Sequence, residues 1–297
     1  MKYGVIVTAR NEQDFIGDCI DSVLSQTIKP TFFIVIDDNS SDMTKEITRR
    51  RGVLVHTVKH DRSKIRGVNI SKALSVGIIA LYQHCPNFDF LLTIDSDTRI
   101  PKNYVEFLYA QWARPNTRRN KIELVSGIPR EKVVSRSHVT NGARLYSRKA
   151  VDVFFPFPCR QGFDSYILYK IQANGMHARE YRIRYEDIRP YNVKYVYRWF
   201  LVGRCRYLQG FPFDWMILCF PRYSRFEPAF LGYQIMLWSW ICHRFTGWRE
   251  NEPVITFVNS WLKRQSAIKV RSALVKPFKI LGIKEKIKDY LKYKPSL

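Results

Sequence analysis

The first hundred residues alternate short, unbroken apolar runs with longer segments whose apolar positions recur at helical spacing. Tyr3 to Val7 is a strand-length apolar run. From Gln13 to Gln26, Phe15, Ile16, Cys19, Ile20, Val23 and Leu24 repeat every three to four residues, which predicts one buried helix face. Pro30 closes that unit, and Phe32 to Ile36 is a second continuous run, as expected of a strand covered on both sides of a parallel sheet. Ser40-Ser41-Asp42 offers helix-capping side chains, and Gly52 stands where the helix should stop. Val53 to Val58, Gly67 to Gln83 and Phe90 to Ile94 extend the pattern as strand, helix and strand. The order β-α-β-α-β-α-β predicts an α/β fold, a mostly parallel sheet flanked by helices.

Further on, Ile122 to Ser126 and the segment after Asn141 read as strands. Gly162 to Asn174 reads as a helix closed by Gly175. After Arg189-Pro190 the texture turns aromatic and basic, which divides the chain into an expected catalytic domain, 1–190, and a C-terminal helical extension, 191–297. Within that extension Ala229 to Cys242 is apolar, but broken by Gln234 and closed by His243-Arg244. A membrane span needs about 20 apolar residues, so this run reads as a core helix or an interfacial one.

Ligands of open α/β sheets bind beyond the strand ends. Polar residues gather there: Thr8 to Glu12, Asp37 to Asp42, and Asp95 to Thr98. Neither G-x-G-x-x-G nor a Walker-type loop follows the first strand, which disfavours ordinary dinucleotide and P-loop chemistry. Asp95-Ser96-Asp97 is the sharpest feature. Two carboxylates one residue apart at the end of a buried strand suit a divalent cation, Mg²⁺ or Mn²⁺, shared with a diphosphate; the alternative is a solvated turn. A carboxylate of Asp37-Asp38 could accept hydrogen bonds from a base or ribose, while Ser41 or Asp42 caps the next helix.

Thr8-Ala9-Arg10-Asn11-Glu12, Ser22-Val23-Leu24-Ser25-Gln26-Thr27, Ile36-Asp37-Asp38-Asn39-Ser40-Ser41-Asp42 and Asp95-Ser96-Asp97 occur in series. Together they resemble the family 2 glycosyltransferases. The resemblance implies a GT-A fold, a nucleotide-sugar donor and inversion at the anomeric carbon. It marks Thr8, Arg10, Glu12, Asp38 and Asp95 as donor contacts, with Asp95 and Asp97 at the metal. The stretch Lys72-Ala73-Leu74 adds Lys72 and Arg66 as candidates for the diphosphate. In the family an acidic pair opens a helix in the second half and supplies the general base. Here Gln161-Gly162-Phe163-Asp164 stands in that place, so Asp164 matches and Phe163 replaces the first acid. A carboxylate there would take the acceptor's proton, although the helix macrodipole alone also favours a negative charge at that point. The processive signature Q-x-x-R-W is reduced to Tyr197-Arg198-Trp199, which points to single-sugar addition.

Composition adds the partners. The net charge is +23, and Lys263 to Lys294 carries eleven Lys or Arg against Glu285 and Asp289. Such a charge suits anionic lipid, phosphorylated substrates or nucleic acid. A basic nucleic-acid-binding protein is therefore the alternative reading. It is disfavoured as a partner class by the acidic strand-end loops and by the lack of a recognised binding motif. A lipid-linked or glycan acceptor at an anionic membrane fits the basic, aromatic extension. Six scattered cysteines suggest reduced thiols. With no signal or transit pattern ahead of the first strand, the expected location is cytoplasmic, with peripheral contact at the inner face of the membrane.

Overall fold

The computed structural model describes residues 1–59, 66–130, 139–155, 162–189, 196–218, 230–246, 258 and 260. The side chains of 66, 117, 118, 196–198 and 246 lie outside that description, as does the basic tail from 263. The chain divides into two compact units, Met1–Asn192 and Val193–Leu297.

The first unit holds a sheet in the order β3-β2-β1-β4-β7-β6-β8-β5. Strands β1 (Tyr3–Ala9), β2 (Phe32–Asp37), β3 (Leu54–Thr57) and β4 (Phe90–Asp95) run parallel, joined by helices α1 (Ile16–Leu24), α2 (Thr44–Arg50) and α3 (Arg66–His84). These are the predicted elements, shifted at their ends by a few residues. One shift has a chemical cause. Asp42 accepts hydrogen bonds from the backbone N–H and hydroxyl of Thr44, so it holds a turn ahead of α2 instead of capping it, and the helix begins at Thr44.

Continuous apolar runs became central strands because both faces are covered. Val5, Val7, Val35, Leu92 and Ile94 are buried with the apolar face of α1, Ile16, Cys19, Ile20 and Val23, in one core. On the other face α3 crosses so closely that a Cβ on Gly77 would stand 2.6 Å from Ile6.

Beyond β4 the sheet changes direction. β5 (Thr98–Arg99) is followed by α4 (Tyr104–Trp112), α5 (Pro115–Arg119), β6 (Ile122–Pro129), β7 (Ala143–Ser147), α6 (Arg148–Phe154), α7 (Phe163–Ala173) and β8 (His177–Asp187). β7 lies antiparallel to β4 and β6, β8 parallel to β6, and β5 antiparallel to β8. Ser147 caps α6 by accepting from the Ala150 N–H. β7 carries Arg144, a fully buried arginine. Its guanidinium donates to the backbone carbonyls of Val139, Thr140 and Asp164.

The second unit contains α8 (Val196–Leu208), α9 (Phe213–Leu218) and α10 (Leu231–Thr246). Glycine makes the α8–α10 crossing close: a Cβ on Gly203 would lie 2.1 Å from the Met236 carbonyl oxygen. Tyr233, Met236, Ser239 and Trp240 form the buried face of α10, and the Trp240 indole donates to the Phe211 carbonyl. The opposite side exposes Leu231, Trp238 and Phe245, with Trp238 65% and Phe245 84% accessible. The apolar run in the extension is thus half core and half surface. No helix among the described residues is long and apolar enough to cross a membrane.

Candidate active site

The parallel strands end side by side, and this register assembles the site. Thr8 on β1 is paired with Ile36 on β2 and Asp95 on β4, and Ala9 with Asp37. Beyond them the first two loops interlock. Asn11 and Asn39 both adopt the left-handed conformation, with φ of 51° and 55°, which asparagine tolerates better than most residues. The Asn11 N–H donates to Ser40 Oγ, the Ser41 N–H to Asn11 Oδ1, and the Glu12 N–H to Thr44 Oγ1. Asp37, fully buried, accepts from the Ser40 N–H and so fixes the turn. Asp38, also buried, lies 3.9 Å from a guanidinium nitrogen of Arg10. That Arg10 nitrogen, Nη1, is buried and has no hydrogen-bond partner among the described residues.

The aspartate pair is held by its backbone on both sides. The Asp95 N–H donates to the Gly142 carbonyl, and the Ile188 N–H donates to the Asp97 carbonyl, 2.8 Å. Asp95 Oδ1 accepts from the Asn141 amide at 3.3 Å. Burial, then the nearby charges of Asp97 and Asp187, push the Asp95 carboxyl up to about 7, against the pull of Arg144. Carboxylates this crowded favour a cation among them. Behind them the buried Cys19 thiol is driven well above its ordinary range, chiefly by burial and then by Asp95, Asp97 and Glu12, so it stays an unreactive core thiol.

These groups line one cavity of about 450 Å³, bounded by Thr8, Arg10, Glu12, Asp38, Asp95 and Asp97, with Asn69, Ile70 and Ala73 from α3 and Phe163 from α7. Larger depressions of about 590 and 880 Å³ exist elsewhere, but neither is lined by the strand-end carboxylates. The six sequence-predicted site residues other than Asp164, Arg66 and Lys72 therefore line one cavity. Lys72 falls outside the lining because it stands about 100° of helix rotation from Ala73. The Arg66 side chain lies outside the described residues. Asp164 sits in the first turn of α7, next to Phe163 in the cavity wall, and its charge is felt at Asp95. Gly162, at φ 73°, makes the left-handed turn into that helix, a conformation costly for a residue with a Cβ.

Four residues of the site carry no signal in the sequence: Asn69, Asn141, Arg144 and Arg189. Arg189 follows β8 and donates from Nε to Asp97 Oδ2 at 2.9 Å and from Nη2 to Glu12 Oε2. Its guanidinium also lies 4.8 Å from the centre of the Phe15 ring.

The donor set fits a hard divalent cation. Two carboxylates supply part of an oxygen shell, and Mg²⁺ sites commonly leave the rest to substrate phosphates and water. Among the described residues no group of three or more His, Cys, Asp or Glu side chains forms a protein-only metal cage. Arg10 Nη1, ion-paired with Asp38 but without a hydrogen-bond acceptor among the described residues, is a donor at the place an anionic ligand would enter.

Known proteins share stretches of this sequence and its fold. A glycosyltransferase, GlyA, of Streptococcus pneumoniae is 29% identical over 108 residues, 36% of this chain and 14% of its own. A 4,4'-diaponeurosporenoate glycosyltransferase of Staphylococcus haemolyticus is 30% identical over 115 residues, 38% of this chain and 29% of its own. The chain thus spans under a third of the length of either relative. Among solved structures, a mannosyltransferase of Pyrobaculum calidifontis in complex with GDP-Man and Mn²⁺ shares the fold at a TM-score of 0.52 and 16% identity. That match covers 97% of this chain and 82% of the other. The sequence pattern of the family described as "Glycosyl transferase family 2" matches residues 4–171, more than half of the sequence. On that match, this chain belongs to glycosyl transferase family 2.

Proposed function

We propose that the chain is an inverting, metal-dependent glycosyltransferase that moves one sugar from a nucleotide-sugar donor to a lipid-linked or glycan acceptor. The observation that carries the reading is the convergence of Thr8, Arg10, Glu12, Asp38, Asp95 and Asp97 on one strand-end cavity. Thr8, Glu12 and Asp38 bind the nucleoside, and Arg10 offers its unsatisfied N–H to the donor's anionic part. Asp95 and Asp97 hold Mg²⁺ or Mn²⁺, which supplies Lewis-acid stabilisation of charge on the departing diphosphate. Asp164 takes the proton of the acceptor hydroxyl as that oxygen attacks the anomeric carbon. The bond from that carbon to the diphosphate oxygen breaks on the opposite face, and configuration inverts. The burial that raises the Asp95 carboxyl also withdraws this charge development in part from bulk water, so that fixed charges act on it more strongly.

The acceptor class rests on the second unit. Exposed Trp238, Phe245 and Leu231 with His243 and Arg244 on α10 suit an interfacial contact, and the basic tail suits an anionic bilayer. Contact with the cytoplasmic leaflet is part of the same proposal.

The test is a screen of UDP- and GDP-sugars for Mn²⁺-dependent hydrolysis and thermal stabilisation, repeated with Asp97→Asn and with excess chelator. Loss of both signals in the variant and in chelator is the expected result. Full transfer by Asp97→Asn, or without metal, overturns the metal assignment.

A further inference from the structure

Arg189 is a cation built into the same site that the reading above gives to a metal. The backbone brings it there: Asp187 is in register with Thr98, the Ile188 N–H is bonded to the Asp97 carbonyl, and Arg189 is the next residue. Its side chain joins Asp97 to Glu12, two acids that belong to different loops. The guanidinium lies over the Phe15 ring, and Arg189 itself lines the cavity. The Asp97 Oδ2 atom that Arg189 engages is half of the oxygen supply that this carboxylate can give a metal. A divalent cation on Asp97 and a guanidinium 2.9 Å from the same oxygen repel each other and compete for it. A diphosphate, by contrast, attracts both, and arginine's planar fork binds phosphate oxygens in pairs.

We propose that Arg189 is a displaceable counter-cation which shares Asp97 with the divalent metal and passes to the donor's diphosphate when the metal binds. Metal alone then meets competition, nucleotide alone meets uncompensated acids, and the two bind as a coupled pair. This inference rests on Asp97 being a metal ligand.

The experiment measures Mn²⁺ affinity of the full chain by the electron paramagnetic resonance signal of free Mn²⁺, without nucleotide and with UDP or GDP. The proteins are the wild type, Arg189→Ala, Arg189→Gln, Arg189→Lys and Asp97→Asn. In the wild type, nucleotide should tighten Mn²⁺ binding by a factor within the usual coupling range of about 5–150. Arg189→Ala and Arg189→Gln should bind Mn²⁺ alone at least about fivefold more tightly than the wild type, with the coupling factor reduced to about the lower end of that range or below. Arg189→Lys, which keeps the charge without the fork, should fall between. Mn²⁺ affinity unchanged or weakened in Arg189→Ala and Arg189→Gln, with coupling intact, overturns the proposal while leaving the metal assignment standing. Mn²⁺ binding that Asp97→Asn does not alter removes the metal assignment and this inference together. Should Arg189→Ala melt below the assay temperature, the glutamine and lysine variants decide by the same criteria.

Discussion

Replacing Arg144 by methionine tests how the wall behind the site is held. The side chain is fully buried, and its nitrogens donate to the carbonyls of Thr140 at 2.9 Å, Asp164 at 2.9 Å and Val139 at 2.6 Å. Methionine fills much of the volume and bonds to none of them. The bond to Val139 is buried and those to Thr140 and Asp164 are partly so; a buried acceptor left without its donor costs about 1–3 kcal/mol, so about 9 kcal/mol is the ceiling for the three together. Part of this is offset because the variant no longer holds a charge away from water, and disrupting one member of a buried charged network typically costs about 3–5 kcal/mol net. For a unit of this size, about 2–4 °C of Tm accompanies each kcal/mol, which gives a fall of roughly 6–20 °C. One of the three carbonyls belongs to Asp164, so the start of α7 loses an anchor as well. Turnover at a temperature where the variant is folded should therefore drop more than donor affinity does. Scanning calorimetry and steady-state kinetics on one preparation measure both. A Tm within about 2 °C of the wild type would refute the reasoning, since it would mean that those carbonyls find other donors at no cost.

Two further outcomes are expected. Asp164→Asn should lower turnover by about 10²–10⁴-fold with donor affinity nearly unchanged, because general-base catalysis is worth that much; near-normal turnover would leave Asp164 only a favourable charge at a helix start, worth at most about 1 kcal/mol of stability. Trp238→Ser with Phe245→Ser should weaken binding to anionic vesicles in a flotation assay without lowering Tm, since both side chains are exposed; equal flotation of wild type and variant would remove α10 from the membrane contact.

How much of this was legible in the sequence depended on whether a signal was local. The strands β1, β2 and β4 could be read because sheets covered on both sides demand unbroken apolar runs, and Asp95 and Asp97 because they end such a run. β8 escaped notice for the opposite reason. Its outward positions include His177, Arg179, Arg182 and Arg184, its buried ones include Glu180, and register shifts against β6 spoil the alternation. Glu180 is tolerable there because its carboxylate accepts the Thr140 N–H, a partner 40 positions away. Lys72 is a candidate only through the family resemblance of Lys72-Ala73-Leu74, whereas the helix turns Asn69, Ile70 and Ala73 toward the cavity. Arg189 and Arg144 serve acids and carbonyls distant in sequence, and no local pattern announces such partners.

The interlocked first and second loops set the unit in which this part of the site can be exchanged. Asn11 supplies the acceptor for the Ser41 N–H and takes its own partner from Ser40. Gln13 donates its N–H to Asp42, and its side-chain oxygen accepts from the Met43 N–H. Each loop thus completes the other's hydrogen bonding, as the two halves of a zip do. A loop transplanted alone from a relative with a different nucleotide would arrive with partners missing on both sides of the seam. Donor preference should therefore travel between relatives as the pair 10–13 with 40–44, and recombination that cuts between them would yield a folded sheet with a disordered mouth.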